Sequence, residues 1–317
     1  MQIMRKKTMS KKNIIILSLI GIIAVVLIYF GITSQPIQSN KISDKNNIQI
    51  VAAENFWGSL VSQLGGDRVS VTSIVSDPNA DPHEYESNAE TAKIFETANY
   101  VIINGAGYDS WSEKLLSSDN NLNRKVLNVS NFLGKKDGDN PHFWYNPDYV
   151  NAVIAQMEKD LISIDPSNAK YYQEQYLALQ KNLAPYQNRV LSIKQQFGGT
   201  PIACTESIFV YPAQALGLNL ISPLDFMDAI DEGNDPPAQS VIKFEELIKD
   251  HKINVLVYNA QTVTPITETI KKMAADNNIP VIGITETIQP PDVSFQDWMN
   301  SELISLENAL NAKTLEQ

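Results

Sequence analysis

Two short stretches hold most of what could do chemistry in this chain, ADPHEYE (residues 80–86) and NPHFWYNP (140–147). The sequence has three histidines in 317 residues, and two of them, His83 and His142, each follow a proline inside these stretches. An imidazole can act as a base, carry a surface charge or donate nitrogen to a metal. A proline ahead of the ring restricts the backbone, so less entropy is lost in fixing it. Two acids stand in comparable places further on. Glu206 follows the apolar run PIAC and Glu286 follows IPVIGI, each two residues past a stretch that reads as a buried strand. In an open parallel sheet ligands bind outside the carboxyl ends of the strands, so such acids point towards a crevice. Two neutral imidazoles and two carboxylates, which neutralise a double positive charge, suit a divalent cation. A competing reading is equally simple. Loop histidines are commonly surface residues, and a glutamate after a strand is commonly solvated or starts a helix. Spacing alone leaves both open. His251, in IKDHKIN, fits the bland reading as a residue at a helix C-terminus.

Several chemistries lack their motifs. There is no phosphate-binding G-x-x-x-x-G-K-[ST], no G-x-S-x-G, no H-E-x-x-H and no G-x-G-x-x-G after a strand. The single cysteine, Cys204, excludes an intrachain disulfide and a cysteine-based zinc site, and reads as a packed small hydrophobe.

Apolar content of 43% and charged content of 19% belong to a globular chain. The net charge of −11 is unevenly spread, because five cations (Arg5, Lys6, Lys7, Lys11 and Lys12) precede an uncharged run from Ile14 to Ile32. The rest carries 36 acids against 20 bases and would be repelled by phosphate backbones, so nucleic acid is not expected as a partner. As a helix the apolar run would be about 28 Å long, near the thickness of a bilayer's hydrocarbon core. The expectation is an N-terminal membrane anchor or signal segment over residues 1–33, the uncleaved anchor being favoured over a secreted product because no A-x-A site follows. The basic cluster keeps to the cytoplasm and the body is exported. Residues 34–47 read as a polar tether.

From residue 48 the pattern alternates between strand and helix. IQIVAAE and RVSVTSIV read as strands around the helical NFWGSLVSQLGG, and residues 100–104 as another strand after the helical NAETAKIFETA. DPNADPHEYE is broken by its prolines into a loop. After Gly198 and Gly199 the alternation resumes, with PIAC, LISP, INVLVYNA and IPVIGITE as strands. Between the two regions runs a long helical pattern from Ser167, interrupted by Pro185, which could kink it. The fold class expected is α/β, two lobes with mostly parallel sheets (48–165 and 198–317) joined by one long helix (166–197).

Four segments, DPNADPHEYE, NPHFWYNP, TESIFVYPAQALGL and IPVIGITETIQ, together resemble the zinc/manganese-type solute-binding proteins of bacterial ABC transporters, the ZnuA/TroA-like family. The similarity runs from about residue 48 to the end. It implies that the linking helix is rigid, that the metal site lies between the lobes, and that His83, His142, Glu206 and Glu286 are the four ligands. It implies capture of one divalent ion, Mn²⁺ or Zn²⁺, by a monomer that is not an enzyme, and delivery to a permease powered by a cytoplasmic ATPase. Many zinc-type members have a third histidine where Glu206 stands, while manganese-type members pair two histidines with two carboxylates, which leans the expectation to manganese. The lipid-anchor cysteine common in such proteins is absent after the apolar run, which favours the transmembrane tether. A metal-dependent hydrolase on the same cluster and a surface adhesin on the same fold are the competing classes.

Overall fold

A computed structural model describes residues 47–77, 82–118, 121 and 123–314. The anchor and nearly all of the tether expected over residues 1–47 lie outside the described residues, and among those described no helix is long and apolar enough to cross a membrane.

The first half is built from β1 (Ile48–Glu54), α1 (Asn55–Gly65), β2 (Val69–Val75), α2 (Ala89–Thr97), β3 (Tyr100–Ile103), α3 (Ser110–Ser118), β4 (Lys125–Asn128), α4 (Val129–Phe132) and α5 (Pro147–Ile164). The long α6 (Ala169–Phe197) follows. The second half contains β5 (Pro201–Cys204), α7 (Val210–Leu216), β6 (Asn219–Leu220), α8 (Leu224–Asp231), α9 (Ala238–Lys249), β7 (Leu256–Asn259), α10 (Pro265–Asp276), β8 (Val281–Ile284) and α11 (Phe295–Thr314). The two sheets have equivalent strand orders, β2-β1-β3-β4 and β6-β5-β7-β8, with every pair parallel. All strand C-termini in a sheet therefore open on one edge, where loops can hold a ligand.

Local signals set the helix starts. Asn146 caps α5 by accepting from the backbone N–H of Asp148 (2.9 Å) and Tyr149 (3.2 Å), with Pro147 in the first turn, where its missing N–H costs nothing. Asn88 caps α2 in the same way, so the histidine loop before it has a fixed exit. Helix α6 is continuous through Pro185. It packs on α1 and α5 from one half and on α7 and α11 from the other. One hydrophobic cluster runs through both halves, from Phe56 and Trp144 through Leu183 and Ile193 to Ile202 and Trp298. That continuity makes α6 a spine buried along one face. Leu183 is 1% exposed while Leu191, two turns on, is 56% exposed. Leu183→Ala is accordingly expected to cost about 2–5 kcal/mol in chemical unfolding, and Leu191→Ala within about 0.5 kcal/mol. Equal costs would mean that α6 is not packed this way.

Candidate metal centre

His142 sits on the loop between α4 and α5, just ahead of a 3-10 turn, Phe143–Tyr145. It is 2% exposed, and its ring meets the indole of Trp144 edge-on at 5.2 Å between centroids. Trp144 in turn stacks on Phe56 at 4.1 Å, so the ring rests on core aromatics. The tautomer follows from its neighbours. Asn140 Oδ1 accepts from the His142 backbone N–H at 3.0 Å, which fixes that atom as the amide oxygen. The same oxygen lies 2.8 Å from His142 Nδ1, which must therefore carry the hydrogen. Nε2 is left with its lone pair outward, and it is buried with no hydrogen-bond partner. Burial, the largest influence, pushes His142 down to about 4, so the ring is neutral and ready to donate at ordinary pH.

His83 lies in a second 3-10 turn, Pro82–Glu84, after β2. Its Nε2 approaches Glu286 Oε2 at 3.2 Å, and His142 Nε2 is 4.0 Å from the same oxygen. The two rings are 6.2 Å apart between centroids. Glu286 follows β8 and is fully buried. Burial works against its charge, but His83 and then His142 and the Tyr108 hydroxyl outweigh that and hold its carboxyl below the usual range. Its backbone N–H donates to Gln261 Oε1 (2.7 Å), its Oε1 accepts from Asn259 Nδ2, and Ile288 N–H donates to Asn55 Oδ1 of α1 (3.0 Å). The strand end is thus pinned from both halves.

Among the described residues, His83, His142 and Glu286 form a group whose donor atoms all lie within 4.8 Å of one another. Glu206 is outside that group. It is buried, two residues past β5, on extended backbone (φ −154°, ψ −178°), and its neighbour Ser207 lines the same cleft as His83 and His142. Ser207 also joins the halves, because its carbonyl accepts from Asn140 Nδ2 at 2.8 Å.

Two further residues belong to this centre. Tyr108 donates its hydroxyl to Glu286 Oε2 at 2.7 Å and meets the His83 ring edge-on at 4.8 Å. It is carried by the loop after β3, where Gly105, Ala106 and Gly107 all have positive φ. A side chain at Gly105 would come within 2.3 Å of Ser130 Oγ, so this turn requires glycine. The Asp109 carboxylate fastens the loop by accepting from Asn104 and Gly105 N–H, both at 2.7 Å. Asp231, at the end of α8, accepts from Ser207 N–H at 3.0 Å and lines the cleft, and burial pushes its carboxyl up to about 6. The rule that ligands sit past strand ends could have found Tyr108. Nothing in the sequence around Asp231 distinguishes it from a solvated helix end. Asp139, Asp228 and Glu232 add acids to the cleft wall, a field that favours cations.

Residues 50–309 match the family described as ZnuA, zinc-uptake complex component A, periplasmic. The chain is 25% identical over 284 residues to the manganese ABC transporter substrate-binding lipoprotein PsaA of Streptococcus pneumoniae, covering 81% of this chain and 86% of that protein. It is 23% identical over 263 residues to the iron ABC transporter substrate-binding lipoprotein MtsA of Streptococcus pyogenes serotype M1, covering 76% and 80%. In three dimensions it superposes on the periplasmic zinc-binding protein TroA from Treponema pallidum with a TM-score of 0.71 at 15% identity, over 83% of this chain and 99% of that one. That likeness is one of fold: two parallel α/β halves about a long helix. With the match extending from the first strand to the last helix, the chain belongs to the ZnuA family of ABC-transporter solute-binding proteins.

Proposed function

We propose that this protein captures one divalent transition-metal ion outside the cytoplasm and delivers it, as a monomer, to a membrane permease driven by a cytoplasmic ATPase. The observation that carries the reading is the convergence on one carboxylate oxygen, Glu286 Oε2, of two imidazole nitrogens, His83 Nε2 at 3.2 Å and His142 Nε2 at 4.0 Å. A buried imidazole lone pair beside a buried, ionised carboxylate is costly in an apolar interior and is offset when a cation binds both. Glu206, beside the cleft on the opposite half, supplies the fourth ligand in this reading. Four protein ligands leave little room for the open position that metal-dependent hydrolysis needs, so the role is binding and transfer. The proteins similar to this chain are named for manganese, iron and zinc, and the ion here is Mn²⁺ or Zn²⁺. Two oxygen ligands suit Mn²⁺, while Zn²⁺ binds a given donor set more tightly, so discrimination rests on geometry. The exported body is held at the membrane by its N-terminal segment or released after cleavage.

Calorimetric titration of the chelator-stripped chain with Mn²⁺ and with Zn²⁺ tests this, and one bound ion per chain is expected. The same titration on Tyr108→Phe probes the outer shell. Losing a partner of a ligating carboxylate typically costs roughly 10–100-fold in metal affinity, and a loss in that range is expected. Unchanged affinity would remove Tyr108 from the centre.

A further inference from the structure

Glu302 projects from α11 at the junction between the loop that holds His142 and the strand end that holds Glu286. The residue is half-buried, and its carboxyl group is held by hydrogen bonds on both oxygens. Three neighbours surround it. Tyr145 Oη lies 2.7 Å from Glu302 Oε2 and also 2.7 Å from the carbonyl oxygen of Thr285. Glu302 Oε1 accepts from the Thr285 backbone N–H at 3.0 Å. The Thr285 hydroxyl accepts from the Trp298 indole N–H (3.0 Å) and has two acceptors within reach, the Thr287 carbonyl at 2.9 Å and Glu302 Oε1 at 3.3 Å; its one hydrogen goes to the nearer, and neither choice touches Glu302 Oε2.

The donor count does not close if Glu302 is ionised. A phenol has one hydrogen to give, yet Tyr145 Oη touches two oxygens that would both be acceptors, each at the 2.7 Å typical of an O–H···O bond. One of the two contacts would then be a bare oxygen–oxygen encounter in a buried place. A proton on Glu302 resolves it: the acid donates to Tyr145 Oη, and Tyr145 donates to the Thr285 carbonyl. We infer that Glu302 is carried as a neutral carboxylic acid, and that this acid ties the Glu286 strand end to the His142 loop across the two halves of the protein.

The surroundings agree. Beside Glu302 is a small void lined by Tyr145, Tyr186 of α6, and otherwise apolar residues such as Ile284, Met299 and Leu306, with no other charged side chain. Burial pushes Glu302 up to about 8, and its hydrogen bonds only partly offset this. The ionisable groups facing it are the two phenols, Tyr145 and Tyr186, both pushed upward themselves by burial and then by Glu302, so neither supplies a counter-charge.

The proton has a thermodynamic signature. An unfolded glutamate loses its proton near pH ~4.3, whereas the folded chain keeps it to about 8. Across that window the folded state binds one proton more, so stability falls as pH rises and levels off once the folded acid ionises. Glu302→Gln can donate to Tyr145 and accept from Thr285 N–H but cannot titrate.

The test is denaturant unfolding of the full, metal-free chain between about pH 5 and pH 8, for wild type and E302Q, with infrared difference spectra of the two at neutral pH. The difference between the variants cancels other titrating groups. The folding constant of wild type should fall against that of E302Q by up to about tenfold per pH unit, and wild type should show a protonated-carboxyl stretch that E302Q lacks. Parallel profiles with no such band would overturn the inference. The positioning role rests on the metal-binding reading and has its own arm. Mn²⁺ affinity should drop in Glu302→Ala and be largely restored in E302Q, and equal affinity in the alanine variant would refute positioning. If wild type binds no metal, the function reading fails, while the unfolding and infrared arms still decide the protonation.

Discussion

His142→Ala is expected to weaken Mn²⁺ or Zn²⁺ binding by more than about 100-fold, beyond what loss of an outer partner costs. The reason is the ring's asymmetry. Nδ1 is committed to Asn140, while Nε2 makes no hydrogen bond. Removing the ring therefore strands no donor that depended on Nε2, and the effect should fall on the metal-loaded state. Asn140 keeps its other contacts, the His142 backbone N–H and the Ser207 carbonyl, so the loop should hold its shape. Titration calorimetry with a circular-dichroism melt as a fold control reads both effects. Affinity unchanged in a folded variant would exclude His142 as a ligand.

The second large effect is on stability. A ligand that binds only the folded state stabilises it by about 4 kcal/mol at a free concentration of 1,000 Kd. For a chain of this size that corresponds to a rise of roughly 6 °C in Tm. Mn²⁺ and Zn²⁺ at equal multiples of their own Kd should give equal shifts, and at equal concentration the larger shift identifies the tighter ion. Magnesium, which prefers all-oxygen octahedral sites, should give little. A melt indifferent to all three ions would leave the converged histidines without a cargo.

Much of this is legible in the sequence. Strict alternation of apolar runs with helical patterns called for two parallel sheets, and both have that form. The two Pro-His frames do bring their rings together, with Glu286 between them. What was not legible has physical causes. β4, with a single buried residue, and the two-residue β6 are too short to show a period. LISP reads as a strand, yet pairing covers only Asn219–Leu220, because Ser222 spends its side chain on the Cys204 backbone instead. Pro185 interrupts the helical pattern in sequence, but packing on both sides carries α6 through it as one helix. Asp231 acts through a tertiary neighbour more than 20 residues away in sequence, which no local pattern encodes, whereas Tyr108 was within reach of the strand-end rule. Glu206 is buried two residues past β5 but lies outside the group of three.

That fourth residue makes crystallography of the metal-loaded chain the most direct measurement, with anomalous scattering locating the ion. The account predicts one peak between the halves, bonded to His83 Nε2, His142 Nε2 and Glu286, with the Glu206 carboxylate drawn in to complete the set, at about 2.0–2.2 Å if the ion is Zn²⁺. An ion bound elsewhere, or none in this cleft at saturating metal, would contradict it.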